Sequence, residues 1–271
     1  MKKNILSEIF IYPIKSLGGI SLSESEVEDR GLKFDRRMML VDEQGTFMTQ
    51  RDFPQMALLK TKIQNEQLIV YQSPKNQSIT LPLAEKHFNN DKKIKVMIWD
   101  DVCESIIVSK EADDFFSDLI GIKCHLVYMP DEAKRIVDPK RKYVNDYHTV
   151  SFADGYPFLI IGQSSLDELN SRLEEPVPMN RFRTNFVFTG GEPFEEDNWK
   201  DFLIGELHFK AVKPCARCVI TTTDQETAIR NQEPLKTLST FRKFGNEVMF
   251  GMNLISFNTG KVKVGDEIKL I

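Results

Sequence analysis

Cys215-Ala216-Arg217-Cys218 is the one close pair among the chain's 4 cysteines. Sulfur at this spacing supports several chemistries. A structural zinc site needs further ligands, usually a second close pair, and here the 4 histidines are scattered singly with no second cysteine pair. A dithiol redox pair sits where a strand gives way to a helix. Here Val219-Ile220-Thr221-Thr222-Thr223 follows, a β-branched run that disfavours a helix and reads as a strand over 218–223. A third chemistry is one reactive thiolate with the other cysteine structural. Lys213 and Arg217 flank the pair and can lower a thiol pKa, and a soft thiolate suits a soft metal. Plain packing of two small apolar side chains is the competing explanation. From the residues alone, these last two readings stand level.

A set of polar and basic residues recurs beside short apolar runs. Lys15 and Ser16 follow Tyr12-Pro13-Ile14, and Asp35-Arg36-Arg37 precedes 38–42. Arg51 follows Thr49-Gln50, and Arg181-Phe182-Arg183-Thr184-Asn185 leads into 186–188. Each alone suits a solvated surface. Together they can grip a phosphate and a polar ring edge: Arg through forked hydrogen bonds, Lys as a point charge, Asn as a donor–acceptor pair.

The elements that must position these groups are mostly strands. We expect strands over 5–13, 38–42 with a return over 46–49, 58–64, 67–71, 79–83, 93–99, 103–108 and 123–128, and one helix from about 110 to 120 closed by Gly121. The polar stretch 129–148 reads as a long loop and as the boundary between two domains, 1–128 and 129–271. Beyond it we expect strands over 158–161, 186–188, 203–212, 250–257 and 262–270, with short helices over 166–173 and 234–241. Strands this frequent imply a β-rich α+β chain, an N-terminal β-sheet domain packed on a closed or nearly closed barrel.

Composition sets the class. The chain has 271 residues, 41% of them hydrophobic, and a formal net charge of -4. This acidic balance argues against a nucleic-acid partner. No stretch has the length of a membrane span and no signal-peptide core follows Met1-Lys2-Lys3, so a soluble cytoplasmic protein is expected. Cys103 and Cys124 sit in apolar settings and read as buried thiols. No flavin or nicotinamide fingerprint and no iron–sulfur cysteine cluster is present.

The motifs, taken in order, resemble those of the MOSC-domain family. Tyr12-Pro13-Ile14-Lys15-Ser16 and residues 31–42 with Gly45 and Phe47 are similar to its N-terminal domain. Phe152-Ala153-Asp154-Gly155-Tyr156-Pro157, residues 180–185, Lys213-Pro214-Cys215-Ala216-Arg217-Cys218 and residues 260–266 are similar to its MOSC domain proper. Within the superfamily the set is most similar to the mitochondrial amidoxime-reducing component and its bacterial relatives. The resemblance implies a molybdenum–molybdopterin cofactor in the cleft between the domains, with Cys218 as both metal thiolate and catalytic residue. It implies cofactor contacts from Lys15, Ser16, Arg36, Asp154, Gly155, Tyr156, Arg183 and Asn185, with Cys215 structural. It implies reduction of a small N-hydroxylated compound with electrons from a separate flavin, iron–sulfur or haem protein.

Departures from the family are also visible. Thr184 stands where many relatives have Pro. We expect no C-terminal iron–sulfur domain, no N-terminal membrane anchor and no pyridoxal phosphate site. Asp154 and Asp224 lie near the motifs as candidate proton donors, and each suits a turn or cap equally well. Two other readings are a carrier that delivers sulfur or molybdenum cofactor through Cys218, and a cofactor-binding module without activity.

Overall fold

The computed structural model describes residues 3–72, 77–85, 88, 92–137 and 148–271. A seven-stranded barrel closes on itself in the order Phe158–Gly162, Phe186–Thr189, Asn4–Ile11, Glu267–Leu270, Asp201–Ile204, Leu207–Ala216 and Glu247–Ser256. Pairing is antiparallel except between Phe158–Gly162 and Phe186–Thr189, which run parallel. Its interior is aromatic and aliphatic: Ile9, Phe158, Phe186, Phe202, Phe209 and Leu254 are buried in one cluster. Closure leaves no free sheet edge to satisfy. The first strand of the chain is therefore a stave of a barrel built otherwise from its second half.

Between the first strand and the rest of the barrel lies a second body. Met38–Asp42, Cys124–Tyr128, Asp101–Ile107 and Lys93–Ile98 form a four-stranded sheet. Leu59–Gln64, Gln67–Gln72 and Gln77–Pro82 form a three-stranded meander. The helix Lys110–Ile120 buries Ala112, Phe116 and Ile120 against this body's core. Ser109 caps it by accepting the Ala112 N–H at 3.0 Å, and Gly121 ends it at φ 87, a conformation Gly adopts without Cβ strain. Cys103 and Cys124 are buried thiols.

The architecture is the expected β-rich α+β arrangement, with differences of detail. The segment 218–223 is not a strand but a 3-10 turn, Val219–Thr222. Its β-branched threonines bond backward: Thr221 Oγ1 donates to Cys218 O at 3.0 Å and Thr222 Oγ1 to Val219 O at 2.8 Å. Those local bonds satisfy carbonyls that a sheet would otherwise claim. The strand pattern expected over 203–212 around Gly205-Glu206 is a hairpin, Asp201–Ile204 with Leu207–Ala216, turning at Gly205. The return over 46–49 pairs through isolated bridges rather than as a strand. Part of the long loop expected over 129–148, residues 138–147, lies outside the described residues; the rest carries an isolated bridge between Ile136 and Thr149. No described helix is long and apolar enough to cross a membrane.

Candidate functional site

Every residue singled out as a cofactor contact or metal ligand lines one cavity of about 140 Å³: Lys15, Ser16, Arg36, Asp154, Gly155, Tyr156, Arg183, Asn185 and Cys218. Thr49, Arg51, Cys215, Arg217 and Asn253 also line it. The cavity sits where the second body meets the barrel.

The cysteines come from the barrel. Register shifts between Ala211 and Lys213 and between Pro214 and Ala216 bend the long strand Leu207–Ala216 near its end, and such bulges re-aim side chains. Cys218 then opens the 3-10 turn, its carbonyl taken by Thr221. Arg217 reaches back across the pair, with Nη1 2.9 Å from Cys215 Sγ and Nη2 donating to Phe182 O at 2.6 Å. Both cysteines are half-buried and free.

Two arginines meet over one ring. The Cζ atoms of Arg36 and Arg183 lie 4.5 and 4.3 Å from the centroid of Tyr12, which is buried. Cation–π attraction offsets part of the repulsion between the like charges. Arg36 is braced: Nη1 bonds the buried Asp35 carboxylate at 2.5 Å and Nη2 donates to Arg183 O at 3.0 Å. Arg183 is less satisfied. Its Nη1 donates to Leu17 O at 2.7 Å, and its buried Nη2 has no acceptor among the described residues. Burial, with Arg36 adding to it, lowers the Arg183 pKa to about 10, while burial also pushes the Tyr12 hydroxyl up to about 12. Ser16, Arg36 and Arg183 have φ of 67, 50 and 53. Left-handed backbone in residues other than Gly costs on the order of 1–3 kcal/mol each and gathers at functional sites.

Lys15 and Asp154 form another part of the lining. Lys15 Nζ donates to Phe152 O at 2.8 Å and to Asp154 Oδ1 at 2.5 Å. Burial lowers Lys15 to about 8 against the pull of Asp154. Desolvation works against ionising Asp154, but Lys15, Arg51 and the Trp99 indole together hold its carboxyl well below the usual range. Asp154 is thus an ionised acceptor at neutral pH. The other candidate acid, Asp224, caps a turn, taking the N–H of Glu226 at 3.0 Å and of Thr227 at 2.8 Å, and pairs with Arg181 at 2.7 Å. Asn185 is buried and ties strands together: Nδ2 donates to Phe10 O at 3.2 Å and Oδ1 accepts Leu159 N–H at 3.2 Å. Thr184, in the position noted above, is buried and donates to Leu159 O at 2.8 Å.

Sequence reasoning missed Arg135, which falls in the stretch read as a linker. It is buried, and its guanidinium binds Ser151 O at 3.0 Å, Ala153 O at 2.5 Å, Asp154 O at 2.9 Å and the Asp101 carboxylate at 2.7 Å. It shapes the loop that presents Asp154. A buried Arg with carbonyl partners gives no signal in a sequence, because its partners are backbone.

The donor set has the chemistry for an anionic group and a soft metal: cationic heads of Lys15, Arg36, Arg51, Arg183 and Arg217, an unsatisfied guanidinium nitrogen on Arg183 and another, Nε, on Arg217, and a thiol at Cys218. No group of three or more His, Cys, Asp or Glu able to hold a metal ion unaided occurs among the described residues.

Residues 3–123 match the MOSC N-terminal beta barrel domain, and residues 147–269 match the MOSC domain. The chain is 31% identical to mitochondrial amidoxime reducing component 2 of Rattus norvegicus over 97% of its own length and 82% of that protein's. It is 29% identical to mitochondrial amidoxime-reducing component 1 of Homo sapiens over 98% of its length and 82% of that protein's. It is 27% identical to a molybdenum cofactor sulfurase of Aspergillus niger, over 97% of this chain and 41% of the sulfurase. The chain belongs to the MOSC-domain family that includes the mitochondrial amidoxime-reducing components.

Proposed function

We propose that the cavity holds a molybdenum–molybdopterin cofactor with Cys218 as the protein thiolate, and that the protein reduces small N-hydroxylated compounds with electrons from a separate donor protein. The observation that carries this reading is the convergence of Cys218 with Lys15, Arg36, Arg51 and Arg183 in one cavity, where Arg183 keeps an unmatched buried donor. The names of the amidoxime-reducing relatives supply the substrate class. In this reading Lys15, Arg36 and Arg183 would neutralise the phosphate and donate hydrogen bonds to the pterin edge, and Ser16, Asp154, Gly155, Tyr156 and Asn185 would complete the cradle. Cys218 would supply the protein thiolate to the metal. When bound, the molybdenum centre supplies the two-electron reduction that cleaves an N–O bond. Asp154, ionised, orients donors and does not deliver the proton. We further propose a division of the chain at 128/129 into an N-terminal unit and a MOSC unit, with the strand Asn4–Ile11 of the first completing the barrel of the second.

The test is metal analysis of the purified protein with pterin fluorescence after denaturation, followed by amidoxime reduction with a reduced dye. Molybdenum near one per chain and turnover support the reading; zinc held by the cysteine pair overturns it. The sulfurase relative supports a second reading, transfer of sulfur or cofactor through Cys218. That reading requires cofactor release to an acceptor enzyme and no amidoxime reduction.

A further inference from the structure

The strand Lys93–Ile98 turns into Asp101–Ile107 through Trp99 and Asp100, with Ile98 and Asp101 the last paired residues. Trp99 occupies the first loop position at φ 54. Gly fits such a position without strain, whereas a bulky side chain there is a true outlier. Burial does not account for the choice, because Trp99 is 45% exposed. Yet the ring is fixed. The Arg51 Cζ lies 4.5 Å from its centroid, and Phe47 packs against it at 5.1 Å with the ring planes 54° apart. The indole N–H donates to Asp154 Oδ1 at 3.3 Å, and Arg51 Nη2 reaches Asp154 Oδ2 at 3.4 Å. An exposed indole in a costly conformation is thus held by Phe47 and by Arg51 and Asp154, two residues that line the cysteine cavity. Trp99 lines a groove of about 1030 Å³ that shares Arg51, Asp154, Gly155 and Cys218 with that cavity.

From this geometry we infer that Trp99 is a recognition platform for the planar aromatic part of a substrate, setting a preference for aryl over alkyl N-hydroxylated compounds. The inference rests on the reading of the Cys218 cavity given above and adds the part of the substrate distant from the N–O bond. An indole offers a flat, polarisable face for offset stacking. Arg51 and Phe47 both pack on the ring, and the indole, still 45% exposed, lines the groove. Because Arg51, Phe47 and Asp154 already hold the ring, little side-chain freedom is lost when a ligand stacks on it. A flexible exposed Trp would lack that advantage, which gives the strained turn a purpose.

The experiment compares benzamidoxime with acetamidoxime on the cofactor-loaded protein, using a reduced dye as donor. Trp99→Asn removes the ring while tolerating positive φ, and Trp99→Phe keeps an aromatic face. In Trp99→Asn the ratio of kcat/KM for benzamidoxime to that for acetamidoxime should fall roughly fivefold to tenfold through KM, and Trp99→Phe should recover most of it. A second readout does not depend on turnover. The chain has 2 tryptophans, and the other, Trp199, is buried. Benzamidoxime should therefore quench wild-type tryptophan emission saturably, acetamidoxime should not, and Trp99→Asn should abolish the effect. An unchanged ratio in Trp99→Asn, or wild-type protein without saturable quenching, overturns the platform. Saturable quenching without reduction of either compound leaves the platform standing and removes the reductase reading instead.

Discussion

The side-chain amides of Gln50 and Gln225 hydrogen-bond to each other in both directions, at 3.1 and 3.0 Å, and both residues are buried. Gln50 Nε2 also donates to Ser16 O at 2.8 Å and Gln225 Nε2 to Thr223 O at 3.0 Å. The pair therefore links the left-handed turn at Ser16 to the turn that follows Cys218. Gln225→Leu leaves the Gln50 amide oxygen without its donor, which should cost about 1–3 kcal/mol. Replacing both glutamines with Leu should be less destabilising than the sum of the single changes. A double-mutant cycle in denaturant checks the sign of that difference.

The two arginines over Tyr12 should separate into different roles. Asn at either position keeps a left-handed backbone tolerable. Arg36→Asn leaves the buried Asp35 carboxylate without its guanidinium, although the Tyr12 N–H still donates to it at 2.7 Å. Breaking a buried ion pair costs about 3–5 kcal/mol, so this variant should unfold at distinctly lower denaturant. Arg183→Asn removes the donor with no protein acceptor. It should lower cofactor retention by about 1.5–3 kcal/mol with a smaller loss of fold stability. Full retention in Arg183→Asn would show that the cavity is not a pterin site.

The cysteines should differ in kind. Cys218→Ala should abolish turnover and the molybdenum electron-paramagnetic signal. Cys215→Ala deprives Arg217 Nη1 of its sulfur contact and should cost about 1 kcal/mol of stability while retaining the signal. Equal loss of signal in both variants refutes Cys218 as the sole protein ligand.

Lys15 gives a pH dependence with opposite signs in two measurements. Its pKa is lowered from 10.5 to about 8. Between those values the unfolded chain holds a proton that the folded chain has released. This group's contribution to apoprotein stability therefore rises with pH across the window and is lost as pH falls through about 8. Anion binding runs the other way, because the ammonium charge disappears. Cofactor retention should weaken above about pH 8, and Lys15→Arg should remove that limb. A retention curve flat across this window excludes Lys15 as a phosphate contact.

At the hairpin of Trp99 the usual ranking of residues should invert. Gly accepts positive φ and Ala does not. Trp99→Gly should therefore melt above Trp99→Ala, a comparison that thermal denaturation settles directly.

Much of this was legible in the chain's patterns. The helix over 110–120 announced itself through its apolar spacing and Gly121, and the strands over 58–64, 67–71 and 79–83 were expected, although their pairing as one meander came from the fold. The family resemblance implied one site for Lys15, Arg36, Arg183 and Cys218, and the four line one cavity. What stayed hidden depended on long-range geometry. The turn at 219–222 looked like a strand because β-branching was visible and the backward threonine bonds were not. Arg51 stood in the basic set, but its stack on Trp99 required the folded hairpin. Arg135 was invisible because its partners are mostly carbonyls.

The first stave of the barrel has a consequence for biosynthesis. Asn4–Ile11 lies between Phe186–Thr189 and Glu267–Leu270, and Lys15 and Ser16 follow it directly. While residues 267–270 are still unmade, the ring of strands cannot close, and the Lys15 turn has no finished wall to face. Pairing across such sequence distance is slow because loop closure precedes its reward. Closure of the barrel, and with it the finished wall of the site, therefore waits for residues 267–270, and a lesion in the strand Glu267–Leu270 should appear as empty protein before it appears as aggregate.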